Sequence, residues 1–173
     1  TGDGVDAVDV TTVGREGLVG LAGLLGATVH DARAVCRVPG EALRLPVGLA
    51  RRLLVADVEG LAVLHRYIAG SVADLMQRIA CNRLHSNERR CACWLAKTSD
   101  RVGEDSFRLT HATLATMLGV RRATVTSSLA LLQREDVVRS KHGTVTVLDR
   151  TALEAVACDC YRTFARQFAI ASG

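Results

Sequence analysis

The sequence lacks several features that mark membrane, secreted and aromatic-rich proteins. Only 3% of its 173 residues are aromatic, so aliphatic side chains must dominate the core. No apolar run reaches the eighteen or so residues of a membrane-spanning helix, and we expect no contact with a membrane. Residues 1–10 have neither the basic nor the apolar region of a signal peptide, so a cytoplasmic protein is expected.

Enzyme motifs are also missing from the sequence. It contains no nucleophile–base set, no Walker loop and no His-Glu-x-x-His pattern. The five histidines occur singly, at positions 30, 65, 85, 111 and 142, and each is expected to be structural or on the surface. The sequence therefore predicts a protein that is not an enzyme.

Cysteines are present, but their spacing does not favour a metal site. The six are Cys36, Cys81, Cys91, Cys93, Cys158 and Cys160. Without an export signal they are expected to be reduced. Both Cys-x-Cys pairs lie on predicted helices, where residues i and i+2 point about 200° apart, so one helix cannot aim both thiols at one ion. We predict packing cysteines, no metal and no cofactor, and keep a thiol- or metal-responsive sensor as the alternative.

The positive charge of the chain is concentrated in its second half. The net charge is +4 overall. Residues 1–80 carry eight Arg and Lys against nine Asp and Glu, whereas residues 81–173 carry fourteen against nine. An excess of positive charge on one half is consistent with a surface that binds phosphates there.

The stretch at 109–132, LTHATLATMLGVRRATVTSSLALL, predicts two short helices joined by a sharp turn. Thr110 is placed to cap the first helix, and Gly119 falls where the chain must turn. The second helix, about 121–132, has a predicted buried stripe at Val125, Leu129 and Leu132. Off that stripe lie arginines and small hydroxyl residues: Arg121, Arg122, Thr124, Thr126, Ser127 and Ser128. Such a surface suits the major groove of DNA, because arginine pairs with guanine and hydroxyls reach phosphates. A helical hairpin in an ordinary core is the alternative.

A hairpin is predicted directly after this helix. Residues 137–148, VVRSKHGTVTVL, alternate around His142-Gly143. A hairpin in this place is the wing of a winged helix-turn-helix. Arg139, Lys141 and His142 would place positive charge at its tip, beside the DNA phosphates.

The first half of the chain predicts short strands and then helices. Residues 5–13 are rich in valine and threonine, and strands are predicted at 35–38 and 42–45 around Pro39-Gly40. These strands suggest part of a β-roll whose beginning precedes this chain. A short helix is expected at 46–57 and a long one at 59–82. The long helix carries a heptad-like apolar seam that favours a two-helix dimer contact over packing on its own sheet: Leu61, Leu64, Ile68, Val72, Leu75 and Ile79.

Two more helices are predicted around the helix-turn-helix. One spans 86–99, with Ser86 as its cap, Arg89 and Arg90 exposed, and a polar loop following at 98–107. A last helix begins with Thr151 and Glu154 as a capping box. Five residues would dock it on the winged domain: Leu153, Val156, Cys160, Phe164 and Phe168.

Residues 81–102, CNRLHSNERRCACWLAKTSDRV, and 109–138 resemble the CRP/FNR family of bacterial transcription regulators. The resemblance implies an α+β chain in three parts. These are the C-terminal part of a cupin-like effector β-roll at 1–57, a dimerisation helix at 58–84 and a winged helix-turn-helix domain at 85–173. The expected function is a homodimeric, sequence-specific regulator that binds double-stranded DNA and, if it activates, RNA polymerase.

By resemblance, the family's base-reading positions fall on Arg122, Ala123 and Ser127, and its phosphate contacts on Thr124, His111 and the hairpin tip. Only Arg122 keeps a long donor, so a different half-site is expected. The family's cyclic-nucleotide cassette contains a glutamate, whereas this chain has Gly20-Leu21-Ala22-Gly23. The effector is therefore unknown, and cyclic AMP is not expected to bind.

Overall fold

The computed structural model describes residues 10–29 and 32–172, with side chains described up to residue 166. In chain order its elements are α1 (Leu21–Leu24), α2 (Val47–Ala56), α3 (Val58–Leu84), α4 (Asn87–Val102), β1 (Ser106–Arg108), α5 (His111–Leu118), α6 (Arg122–Arg134), β2 (Val138–Lys141), β3 (Thr144–Val147), α7 (Arg150–Val156) and α8 (Cys160–Ser172). Helices with one small sheet fit the predicted class of a partial β-roll followed by a winged helix-turn-helix. Within the described residues no helix has both the length and the hydropathy to span a membrane.

The strands predicted at 35–38 and 42–45 are wrong. Residues 32–45 form no helix or strand and are exposed throughout. A strand needs a neighbour that takes up its backbone N–H and C=O groups, and the described part of the chain places none beside this segment. Most of the valine- and threonine-rich stretch at 5–13 lies outside the described residues.

The two helices predicted in the middle of the chain are confirmed. Helix α2 follows Pro46, and Asp57 then caps α3 by accepting a hydrogen bond from the Gly60 amide at 2.9 Å. Helix α3 is 27 residues long, so it extends about 40 Å. It connects the N-terminal segment to the C-terminal domain.

Helix α4 begins as predicted but ends later. The Ser86 side chain caps it by accepting from the Arg89 amide. The helix then continues to Val102, and Gly103 ends it with a φ of 76°. Strand β1 follows, so the predicted polar loop at 98–107 is wrong at both of its ends.

The C-terminal sheet joins β1 to the hairpin. Its order is β1–β3–β2, and both pairings are antiparallel. Strand β1 is three residues long and only Phe107 is buried, so it has too little apolar pattern to be seen in the sequence. Apolar residues of α4, α5, α6, the sheet and α7 form one core below it, including Cys91, Leu95, Leu114, Val125, Leu129, Leu132, Val145 and Leu153.

The predicted last helix is two helices. Asp149, not Thr151, caps α7 by accepting from the Ala152 amide at 2.9 Å, and α8 starts at Cys160 after a turn. Leu153, Cys160 and Phe164 are buried as predicted, and Val156 is partly buried. The prediction for Phe168 lies outside the described side chains.

Polar side chains fix α3 to α4. The Asp74 carboxylate is 2.9 Å from Lys97 Nζ and 2.9 Å from Arg78 Nε. Burial alone raises the pKa of Asp74, but these two cations outweigh it and hold the pKa below its usual value. Arg90, predicted to be exposed, instead is half-buried and donates to Asn82 Oδ1 and to the Leu118 carbonyl at the end of α5. The long helix is thereby tied to the helix-turn-helix.

Candidate nucleic-acid interface

Local sequence signals set the geometry of the helix-turn-helix. Thr110 caps α5 by accepting from the Thr113 amide at 3.1 Å. Gly119 ends that helix with a φ of 64°, and the Val120 amide donates back to the Ala115 carbonyl at 3.1 Å. Ala115 is buried where α5 and α6 pack together. The turn predicted around Gly119 is confirmed.

Helix α6 buries one face, and residues near its start are exposed. Val125, Leu129 and Leu132 are buried as predicted, and Ser128 is buried with them. The expectation that Ser128 lies off the stripe is therefore wrong, since it follows Val125 by three residues and shares its face. Thr124 is half-buried, while Arg121, Arg122, Thr126 and Ser127 are exposed.

The two arginines at the start of α6 have guanidinium groups available for a ligand. Within the described residues no hydrogen bond or ion pair holds the side chain of Arg121 or Arg122. Arg121 occupies the N-cap position without capping the helix through its side chain, and the first turn contains no acidic residue. The positive end of the helix dipole adds to the attraction for an anion.

The hydroxyl groups on the same surface are already engaged inside the chain. Thr126 Oγ1 donates to the Arg122 carbonyl at 3.1 Å, and Ser127 Oγ donates to the Ala123 carbonyl at 3.1 Å. These hydroxyls must rotate before they can donate to a phosphate. The arginines are therefore the stronger candidates for DNA recognition on this helix.

The predicted hairpin, residues 137–148, is present and is called the wing from here on. His142 and Gly143 form its tip with φ values of 50° and 74°, as a two-residue hairpin turn requires. Arg139, Lys141 and His142 are exposed. The Leu109 amide donates to the Gly143 carbonyl at 2.8 Å, so the wing tip sits against the start of α5.

His111 connects the three parts of this surface. Its Nδ1 lies 3.0 Å from Thr126 Oγ1 on α6, and its Nε2 lies 3.3 Å from Ser140 Oγ on the wing. Both ring nitrogens of a residue at the start of α5 are thus used in holding α6 and the wing. No local pattern in the sequence predicts this contact, because it joins segments that are 15 and 29 residues away.

The seam predicted on α3 is mostly exposed in the single chain. Val72, Leu75 and Ile79 are 50%, 37% and 68% exposed, and Leu61 is 37% exposed. Ile68 is half-buried. Leu64 differs, since it is only 8% exposed. It borders an apolar hollow that α2 and the end of α1 also line, so its side chain is used within the chain.

The glycine-containing stretch at 20–23 forms a turn and the start of α1. Arg51 from α2 donates to the carbonyls of Gly23 and Leu24. The guanidinium beside this stretch is therefore bonded to backbone oxygens, and the absence of cyclic AMP binding stays a prediction.

The cysteines do not have the arrangement that the sequence suggested. Cys158 is in the turn between α7 and α8, not on a helix, and it lies 3.6 Å from Cys81 on α3. The prediction that one helix points Cys158 and Cys160 in opposite directions is therefore wrong. Hydrogen bonds from Cys81 and Cys93 lower the pKa of the Cys158 thiol, and donating to Cys158 raises the pKa of Cys81.

The part of the chain that contains the helix-turn-helix and the wing is similar to a known domain family. Residues 89–156 match the model of the Crp-like helix-turn-helix domain. No curated protein matches the chain.

Solved structures of transcriptional regulators share the fold. A CRP/FNR-family transcriptional regulator from Thermus thermophilus is 29% identical with a TM-score of 0.53, covering 58% of this chain and 55% of that one. A protein described as a CRP/FNR-family regulator from Eubacterium rectale is 25% identical with a TM-score of 0.50, covering 64% and 51%. FixK2 from Bradyrhizobium japonicum, 17% identical with a TM-score of 0.55 over 62% and 56%, shares the fold.

The chain spans about half the length of the structures it matches. The matched domain covers α4 to α7 and includes α6 and the wing. The resemblance predicted from residues 81–102 and 109–138 is confirmed: residues 89–156 match the Crp-like helix-turn-helix domain, and the chain is similar to solved structures of CRP/FNR-family transcriptional regulators.

Proposed function

We propose that the chain is a sequence-specific DNA-binding transcription regulator that acts as a homodimer in the cytoplasm. One observation carries the proposal: Arg121 and Arg122 are exposed at the start of α6 and have no side-chain partner among the described residues, beside a positively charged wing that His111 holds in place. In a Crp-like domain this end of the helix enters the major groove. No catalytic function is proposed.

The residues of this surface have different roles in the proposal. Arg122 reads a base edge, and Arg121, Lys141 and His142 contact phosphates. Thr124, Thr126 and Ser127 line the groove and reach the backbone by rotating their hydroxyls. His111 was predicted to contact phosphate, but its two ring bonds support a positioning role.

The three-part division predicted from the sequence supplies the rest of the proposal. Residues 1–57 belong to an effector domain, 58–84 pair two subunits, and 85–173 bind DNA. RNA polymerase is a partner if the protein activates transcription. The direct test is a gel shift with the promoter upstream of its own gene at moderate salt. Binding no tighter than to unrelated DNA would contradict the proposal.

Replacing Lys141 with alanine is expected to weaken binding to all DNA sequences alike. Lys141 is exposed at the end of β2, opposite Thr144 in the neighbouring strand and next to the wing tip. From there its side chain can contact only the sugar-phosphate backbone of DNA. The plot of log affinity against log salt should become shallower by about one per subunit. Arg37→Ala removes one exposed charge from the N-terminal segment and serves as the control, with an unchanged slope. A changed base preference in Lys141→Ala would show that the wing reads sequence.

Replacing His111 with alanine is expected to lower DNA affinity several-fold without changing the preferred sequence. The variant loses two hydrogen bonds worth about 1 kcal/mol each, so α6 and the wing are held less firmly, although the Ser140 amide still donates to Gln133 Oε1 on α6 at 2.9 Å. His111→Gln, which can donate and accept, should recover part of the affinity. Thr116→Ala removes a hydroxyl that bonds within α5 and is the control. Titration measures the affinity, and binding-site selection measures the preferred sequence. A change in the preferred sequence would show that His111 contacts bases.

A further inference from the structure

Four potential metal ligands converge where α3 meets the start of α8. Cys81 Sγ, a His85 ring nitrogen, Cys158 Sγ and Cys160 Sγ all lie within 4.8 Å of one another. Cys81 is on α3 and His85 directly follows that helix, whereas Cys158 and Cys160 lie just before α8 and at its first residue, more than seventy residues later. The DNA-binding surface uses none of them. We propose that these residues form a closed, mononuclear zinc site that clamps α3 to the C-terminal helices.

The distances fit the edges of a tetrahedron around one ion. Zinc bonds of about 2.3 Å to sulfur and 2.0 Å to nitrogen put neighbouring ligands about 3.5–3.8 Å apart. Cys81 Sγ lies 3.6 Å from Cys158 Sγ, and Cys160 Sγ lies 3.4 Å from His85 Nδ1. A two-iron cluster divides its ligands between two ions and separates them further, so the mutual 4.8 Å limit favours a single ion.

The positions of the four residues relative to α3 and α8 explain why their side chains meet. Cys81 lies in the last turn of α3, and His85 is the residue that directly follows the helix; its amide donates to the Cys81 carbonyl at 3.2 Å, which keeps the two residues close together. Cys158 lies in the turn before α8 and Cys160 is its first residue, so the change of direction brings both thiols to the same side. Three cysteines and one histidine are an established ligand set of structural zinc sites.

The cysteines of the site are shielded from water, and one of them is hydrogen-bonded to a residue outside the cluster. Cys81 is 9% exposed, Cys158 1% and Cys160 2%. Gln77 Nε2 donates to Cys160 Sγ at 2.9 Å, which is the kind of outer contact that orients and stabilises a ligating thiolate. His85 is half-buried and leaves a route from solvent. On binding, the three thiols release their protons to water.

Cobalt(II) titration of the full chain, purified under anaerobic and reducing conditions, tests the site. One Co²⁺ per chain should bind with thiolate-to-cobalt charge-transfer bands and the visible bands of tetrahedral cobalt, and Zn²⁺ should displace it. X-ray absorption of the zinc form should give three sulfurs and one nitrogen. Absence of stoichiometric binding, or a Cys81–Cys158 disulfide in the reduced preparation, would overturn the proposal.

Variants identify the ligands. Cys158→Ser and His85→Ala should lose the cobalt bands, and Gln77→Leu should weaken affinity about 10–100-fold. Cys91→Ala, a buried α4 thiol outside the cluster, is the control and should bind normally. If the His85→Ala variant binds cobalt normally and the Cys93→Ser variant does not, the proposed set of ligands is wrong. Because a cysteine variant can unfold, chelation of the unaltered chain provides the second measurement: the melting temperature should fall and added Zn²⁺ should restore it.

Discussion

Replacing Arg122 with alanine is expected to remove the preference for one base pair in each half-site, at a cost of about 1–3 kcal/mol per contact. Arg122 is the first residue of α6, is exposed, and has no side-chain partner in the described part of the chain. Its guanidinium can donate to O6 and N7 of one guanine together. Ala123 and Ser127 are too short to compete for that base, and the Ser127 hydroxyl is bonded to its own helix. In a dimer the loss occurs twice.

Binding-site selection with three variants separates this role from its rivals. Arg134→Ala removes an exposed arginine from the last turn of the same helix and should leave the selected motif unchanged. Arg121→Ala should weaken binding to all sequences alike, as loss of a phosphate contact does. If Arg122→Ala keeps the motif while Arg121→Ala blurs one position, the two roles are exchanged.

The parts of the interface that could be predicted from sequence are those fixed by neighbouring residues. Thr110 caps the helix that it immediately precedes, and Gly119 and His142-Gly143 supply the positive φ angles that their turns need. Each depends on a few consecutive residues. The same locality explains why the predicted bounds of α3 and α6 lie within a few residues of the observed ones.

The errors came from contacts that no local pattern encodes. The strands predicted at 35–38 and 42–45 have suitable residues but no neighbouring strand in the described chain. Conversely, β1 has little strand pattern and forms because β3 pairs with it. The cysteine cluster required Cys158 to be in a turn and 77 residues of chain to fold back onto Cys81.

Replacing both Val72 and Leu75 with aspartate is expected to convert a dimer into monomers. The two residues are successive seam positions on α3, 50% and 37% exposed in the single chain, and a paired helix would bury their aspartates against each other without counter-charges. Light scattering should report the mass of one chain. Affinity for a two-half-site DNA should fall about 10²–10⁴-fold, because the second half-site is no longer held at high effective concentration.

The choice of positions follows from the structure. Leu64 belongs to the predicted seam but is buried within its own chain, so its replacement would damage the fold and the dimer together. Val63→Asp is the matched control, since Val63 is 55% exposed and lies nine residues from Val72, on the opposite side of the helix. It should leave both mass and DNA affinity unchanged. A dimer that persists in the double variant would place the subunit contact outside the seam, and a monomer that keeps full affinity would show that each chain binds DNA alone.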